Sequence, residues 1–401
     1  MGKVKGFAIL LSTDKPVYFP GQTICGSVRL ELTKPLKATK IILVVNGFAS
    51  VRWKANHAEY KDSTTYIDHQ IVLWTRDRAT NLTSGANEFD FAYQLPRNIP
   101  SSFESHQRHH AHVRYLLTAK VVRPWKFDVK SKKPFTIVEH ADVNRPEYLV
   151  PLQSENSVAL RRCLGCASGT VTLSASLDRR AYCAGERING FIAIENASTR
   201  RLKGVVVRIV AYKTLHARRR EQRTCETISR VKLVDHVAPR KRARWVSRDF
   251  DIPPVVPSIR TCRLISLDYY FEVLVLGANR LSLSFPILIG TVPLEEGREE
   301  GDRGGGMVRP SASYVDNRTA STLQRGLPRP SLYLPPTSTS PNAPVPSEPP
   351  SYAEAVGGLV NIADGDSDQF TRGELEYAPM YPFVMTLVPS APPPPYSEED
   401  F

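Results

Sequence analysis

Apolar and polar residues alternate along the first three quarters of the chain. Leu281, Leu283 and Phe285 alternate with Ser282 and Ser284. The same rhythm runs through Phe89–Leu95, Val113–Val121, Val171–Leu177 and Leu267–Val275. A period of two puts every second side chain on one face, as a half-buried sheet requires. Nowhere in 1–294 is there a long, capped segment of period 3.6. Short strands broken by Pro, Gly and Asn predict antiparallel β-sandwiches.

The pattern also repeats. Asp14–Glu31 aligns without a gap on Asp178–Glu195. Asp14/Asp178, Tyr18/Tyr182, Gly21/Gly185, Ile24/Ile188, Gly26/Gly190 and Glu31/Glu195 coincide. Each copy reads as a glycine turn leading into an outgoing strand. A second marker follows in each half: Leu95–Ser101 and Ile252–Ser258 both read apolar-Pro-x-x-apolar-Pro-Ser. Two markers in one order, about 160 residues apart, predict two tandem copies of one sandwich.

Charge divides the chain differently. Residues 295–401 hold 7 Lys/Arg and 16 Asp/Glu, a net of −9, and 17 of the 32 prolines. Since the whole chain carries +13, residues 1–294 carry +22. A tail so rich in Pro, Ser, Gly and acid is expected to be disordered. Its −9 could fold back on the basic body as a weak, salt-sensitive autoinhibitor. No apolar run approaches the roughly 20 residues of a membrane helix. The opening segment lacks a signal-peptide core, so a reducing compartment is expected and Cys25, Cys163, Cys166, Cys183, Cys225 and Cys262 are expected as free thiols.

Five stretches carry a family resemblance: Phe7–Trp53, Pro100–Trp125, Ser176–Asn196, Ile252–Gly277 and Phe285–Leu294. In this order they resemble the arrestin fold, and specifically the arrestin domain-containing proteins, or α-arrestins. The resemblance implies an all-β chain of two tandem arrestin-like, immunoglobulin-type β-sandwiches followed by a disordered Pro-rich tail. The N-terminal sandwich is expected over 1–148, a hinge over 149–167, the C-terminal sandwich over 168–294 and the tail over 295–401.

Two Pro-Pro-x-Tyr motifs lie in the tail: Pro349-Pro350-Ser351-Tyr352 and Pro393-Pro394-Pro395-Tyr396. Consecutive prolines hold a polyproline II helix whose rings fit the aromatic groove of a WW domain, while the tyrosine fills an adjacent pocket. With 17 prolines and 6 tyrosines in these 107 residues, roughly 0.15 such motifs are expected by chance. In the resembled family the partners are HECT-type ubiquitin ligases of the NEDD4 class. The resemblance implies a non-enzymatic adaptor, cytoplasmic and peripheral at plasma membrane and endosomes. It would bring such a ligase to receptor or transporter cargo for ubiquitylation, endocytosis and endolysosomal trafficking. The rival reading is a matrix-like structural protein of membrane budding. Pro389-Ser390-Ala391-Pro392 matches the P-[ST]-A-P pattern of ESCRT-I ligands; it abuts the second motif, so the two binders would compete.

Two basic clusters are candidate anion, membrane or cargo sites: Arg218, Arg219, Arg220 and Arg223 beside His216, and Arg240, Lys241, Arg242 and Arg244. A hairpin over 224–237 would bring them into one patch; a solvated rim is the plainer reading. Nucleic acid is not expected, because no helical reader, aromatic RNA platform or zinc module is present. Cys163 and Cys166 form a single CxxC without a second pair, and His106, His109, His110 and His112 read as a polar loop, so no metal or cofactor is expected. No phosphate loop, H-E-x-x-H or G-x-S-x-G is found. One member of the resembled family engages thioredoxin through a cysteine three residues before a tryptophan; here Arg242 stands three before Trp245, so that property is not implied.

Overall fold

The computed structural model describes residues 3–14, 16–105, 110–161, 167–246, 250–278, 281–295, 359–363 and 370–384. Its described secondary structure is β throughout, with no α-helix. The first sandwich comprises β1 (Val4–Leu11), β2 (Val17–Tyr18), β3 (Thr23–Leu32), β4 (Leu36–Ala55), β5 (Ala58–Leu82), β6 (Gly85–Gln94), β7 (Phe103–Ser105), β8 (His110–Val122) and β9 (Val129–Ile137). One sheet runs β1-β3-β6 and the other β2-β9-β8-β4-β5.

The second sandwich comprises β10 (Leu152–Arg161), β11 (Ala167–Leu177), β12 (Ala181–Cys183), β13 (Gly190–Asn196), β14 (Gly204–Ala217), β15 (Arg220–Val234), β16 (Lys241–Val246), β17 (Ile265–Leu276) and β18 (Ser282–Gly290). Its sheets run β10-β11-β13-β16 and β12-β18-β17-β14-β15. The alternating residues do what their period predicts. Val113, Tyr115, Leu117, Phe271, Val273 and Leu283 all face the buried side.

The duplication is structural as well as sequential. Tyr18 on β2 pairs in parallel with β9 at Ile137, and Tyr182 on β12 pairs in parallel with β18 at Ile289. Gly21 (φ 85°) and Gly185 (φ 90°) take the same left-handed turn, which a Cβ would disfavour. The Gln22 side chain accepts from the Phe19 N–H, and that of Glu186 from the Cys183 N–H. Ser102 and Ser258 each accept a hydrogen bond on Oγ from the neighbouring strand, at Ile137 and Ile289. Equal turns in both halves mean that one solution to closing the sandwich is used twice.

The expected hinge is shorter than 149–167. Residues 152–161 form β10, paired antiparallel to β11 from Leu152↔Leu177 to Arg161↔Ala167. This strand is mostly solvated, so its sequence carries no apolar alternation. The sandwiches also touch directly: Tyr66 Oη accepts from the Arg263 N–H at 3.1 Å, and Lys213 Nζ donates to Ser105 Oγ at 2.7 Å.

Candidate functional site

Within the tail, 359–363 and 370–384 are packed segments, to which the expectation of disorder drawn from the composition of 295–401 does not extend. Ordering has a local cause. Ile362, Tyr377 and Tyr381 are all buried, and this apolar area offsets the entropy lost on ordering. β19 (Val360–Asn361) pairs with β21 (Glu376–Tyr377), and Ile362 and Tyr377 bury Leu116 on the outer face of β8. β20 (Thr371–Gly373) adds in parallel to β9, in register Thr371↔Lys130 to Gly373↔Lys132. β2 covers β9 only at Thr136 and Ile137, so β20 pairs an edge that would otherwise lie open.

Side chains complete the contact. Arg372 donates to the carbonyls of Lys5 and Val4 at 2.8 and 3.0 Å. Tyr377 Oη donates to the Phe135 carbonyl at 3.3 Å and sits 3.2 Å from Thr136 Oγ1. Tyr381 Oη donates to the Ser102 carbonyl at 2.8 Å. The Val384 N–H reaches the Ala184 carbonyl at 2.9 Å, so this segment contacts both sandwiches. Burial pushes the Tyr377 phenol up to about 12, so it docks protonated.

Backbone pairing and buried rings therefore dominate the contact; the ion pair Lys133–Glu374 at 2.5 Å, with Glu374 58% exposed, adds little. Docking should thus be far less salt-sensitive than charge alone implies. Gly373 offers the cleanest lever: its φ is +99° and a Cβ there would lie 2.1 Å from the Lys132 carbonyl oxygen. Gly373→Val is expected to raise proteolytic cleavage within 370–384 at least tenfold at constant melting temperature of the sandwiches. Raising salt from 0.05 to 0.5 M should change wild-type cleavage less than threefold.

The basic clusters do not merge. Arg218 and Arg219 form the β14–β15 turn, both at positive φ (47° and 67°). Arg220 and Arg223 start β15, on the edge of one sheet; Arg242 and Arg244 lie on β16, on the edge of the other. The twelve residues from Arg223 to Val234 extend along β15 for about 35 Å, which keeps Arg240 and Lys241 at the far end. Several of these cations have local partners. Arg223 lies 4.3 Å from the Tyr212 ring, Arg242 pairs with Glu195 at 2.6 Å, and His216 Nδ1 is 3.3 Å from Glu221. The structure thus supplies two basic edges, each partly neutralised.

Other candidates resolve simply. Both Pro-Pro-x-Tyr motifs, Pro389–Pro392, Cys163, Cys166, His106 and His109 lie outside the described residues. Among the described residues no group of three or more His, Cys, Asp or Glu could hold a metal, and no helix is long and apolar enough to cross a membrane. Cys183 and Cys262 are buried free thiols, and Cys25 and Cys225 exposed ones. His112 packs edge-on against Phe48 at 5.6 Å, and burial, with Arg114 beside it, pushes its pKa down to about 3. The folded state therefore favours neutral imidazole. Its contribution is intact above the ordinary value near 6.5 and falls by up to about 1.4 kcal/mol per pH unit below it. Between pH 6.5 and 4 the melting temperature of His112→Asn should fall less steeply than that of wild type.

The family described as Arrestin (or S-antigen), N-terminal domain, matches residues 7–144, and Arrestin (or S-antigen), C-terminal domain, matches 167–294. The chain is similar to arrestin domain-containing protein 4 of Homo sapiens, 29% identical over 312 residues, covering 73% of this chain and 72% of the relative. It is similar to arrestin domain-containing protein 17 of Caenorhabditis elegans, 26% identical over 96% of this chain and 99% of the relative. The thioredoxin-interacting protein of Homo sapiens is 24% identical over 99% of this chain and 96% of its own. Two duplicated sandwiches, each covered by its own domain match, place the chain in the arrestin family, on its α-arrestin branch.

Proposed function

We infer that the protein is an adaptor that recruits WW-domain ubiquitin ligases of the HECT, NEDD4-like class to membrane cargo, promoting its ubiquitylation and endolysosomal sorting. The carrying observation is the pair of Pro-Pro-x-Tyr motifs in a tail attached to two arrestin sandwiches. The packed tail segment adds a geometric argument. Tyr352 lies seven residues before Leu359 and Tyr396 twelve after Val384. At no more than about 3.5 Å per residue, the two tyrosines stay within roughly 25 and 42 Å of those anchors. A ligase held there is kept beside whatever the sandwiches grip. Cargo recognition would fall to the sandwiches, whose exposed edges include the two basic clusters. The thioredoxin reading gains no support, since Arg242 holds the position three before Trp245 and is paired with Glu195.

The test is calorimetry of the full chain against a recombinant tandem WW array. Saturable binding at one array per chain is expected; absence of binding at 50-fold excess array overturns the reading. A reconstituted ligase should then modify a transporter tail only when this chain is present.

A further inference from the structure

The turn between β8 and β9 breaks two rules at one residue. Trp125 is 102% exposed, and its backbone is left-handed at φ 59°. Bulky side chains rarely adopt that conformation, and a large indole left wholly in water gains nothing in the folded monomer. Phe127, two residues on, is 74% exposed. Local rules broken without a folding gain mark functional positions.

The turn is braced rather than slack. The Arg123 guanidinium donates to the Phe127 carbonyl, and the Arg123 N–H reaches Asp128 Oδ1 at 3.4 Å. On one side Phe370 of the packed tail stacks on Phe127 with centroids 6.1 Å apart. The aromatic rings are thus held out at one end of the first sandwich.

That end is also basic. Lys40 on β4 is in register with Val122, the last residue of β8, so Lys34 and Lys37 run on beside the turn. Lys120 stands directly opposite Lys130, and both line a cavity of about 210 Å³ with Lys132 and Thr118. Arg123 and Lys126 belong to the turn itself, whose one acid, Asp128, is engaged by the Arg123 N–H.

We propose that this end of the first sandwich is a docking surface for an anionic lipid bilayer. Trp125 and Phe127 enter the headgroup layer, while Lys34, Lys37, Lys40, Arg123 and Lys126 face its phosphates and carboxylates. Indoles sit well at such interfaces, where one part of the ring is apolar and the N–H is wet. Each Lys or Arg near an anionic leaflet raises partitioning about fivefold, an effect that salt weakens. The surface involves neither Pro-Pro-x-Tyr motif, so it stands or falls apart from ligase recruitment. It would orient the adaptor with one tip on the membrane that carries its cargo.

The test is co-sedimentation of the full chain with vesicles of pure phosphatidylcholine and with vesicles containing 30% phosphatidylserine, followed by tryptophan emission. Wild type should prefer the anionic vesicles at least tenfold at 0.1 M salt, with a blue shift of emission. Trp125→Gly suits the left-handed backbone, so its melting temperature should hold or rise. It should nevertheless lower partitioning at least tenfold and abolish the blue shift; Phe127→Ser should lower it further. Equal binding by Trp125→Gly overturns the proposal. So does wild-type binding that ignores lipid charge, and so does no binding to either vesicle, which would assign the turn to a protein partner.

Discussion

Replacing Tyr352 or Tyr396 alone by alanine is expected to weaken binding to a tandem WW array about 100-fold, and replacing both should reduce it to background. The size follows from bivalence. When one motif is bound, the second engages intramolecularly, and linked sites commonly exceed either single affinity by 10²–10⁴. Removing one tyrosine empties one pocket and leaves a monovalent ligand. Titration against a single isolated WW domain provides the control: there each single variant should cost only about half the sites. A double variant that still binds the array like wild type would refute the reading, and a twofold effect of each single variant would show that the motifs act independently. Gly373→Val separates the motifs from their anchoring. It frees the tail from β9 without touching either motif, so any change it causes reports the contribution of anchoring.

Much of the fold was legible because the sandwich is built twice from short-range rules. Alternation at Val113–Val121 and Leu267–Val275 found the central strands β8 and β17, and the Gly21/Gly185 turns betrayed the duplication. β10 escaped because a solvated strand has no apolar face to write into its sequence. Whether the basic clusters meet was not legible, because sequence separation says nothing of the direction a hairpin takes; the straight run of β15 holds them apart. Docking of 370–384 escaped because composition averaged over 107 residues hides the few side chains, Ile362, Tyr377 and Tyr381, that bury. Trp125 ends one of the family-like stretches, and only the structure places its ring in solvent.

Glu186→Ala should be among the most destabilising single changes in the second sandwich, by about 3–5 kcal/mol. Glu186 is 8% exposed and serves three donors. Its Oε2 accepts from Arg179 Nη2 at 2.9 Å and from the Cys183 N–H at 3.0 Å, and its Oε1 from the Leu294 N–H at 3.1 Å. Arg179 is itself 7% exposed and lies 4.4 Å from the Tyr182 ring. Its Nε, 3.8 Å from Asp178, makes no hydrogen bond among the described residues. Among the described residues, deleting the carboxylate leaves the buried guanidinium with only the distant Asp178 and a ring face, and cutting one partner of a buried pair costs far more than the pair contributes. The first sandwich shows the milder alternative, because Gln22 occupies the equivalent turn and accepts from the Phe19 N–H. Glu186→Gln keeps an oxygen for the turn but removes the charge facing Arg179, so it should lose about half as much. Replacing Arg179 by methionine in the Glu186→Gln background should recover stability, since no buried cation then remains. Urea melts of the three variants decide it. Equal stability of Glu186→Ala and wild type would mean that Arg179 is solvated in the folded protein, and failure of the double variant to recover would place the loss in the turn rather than in the charge.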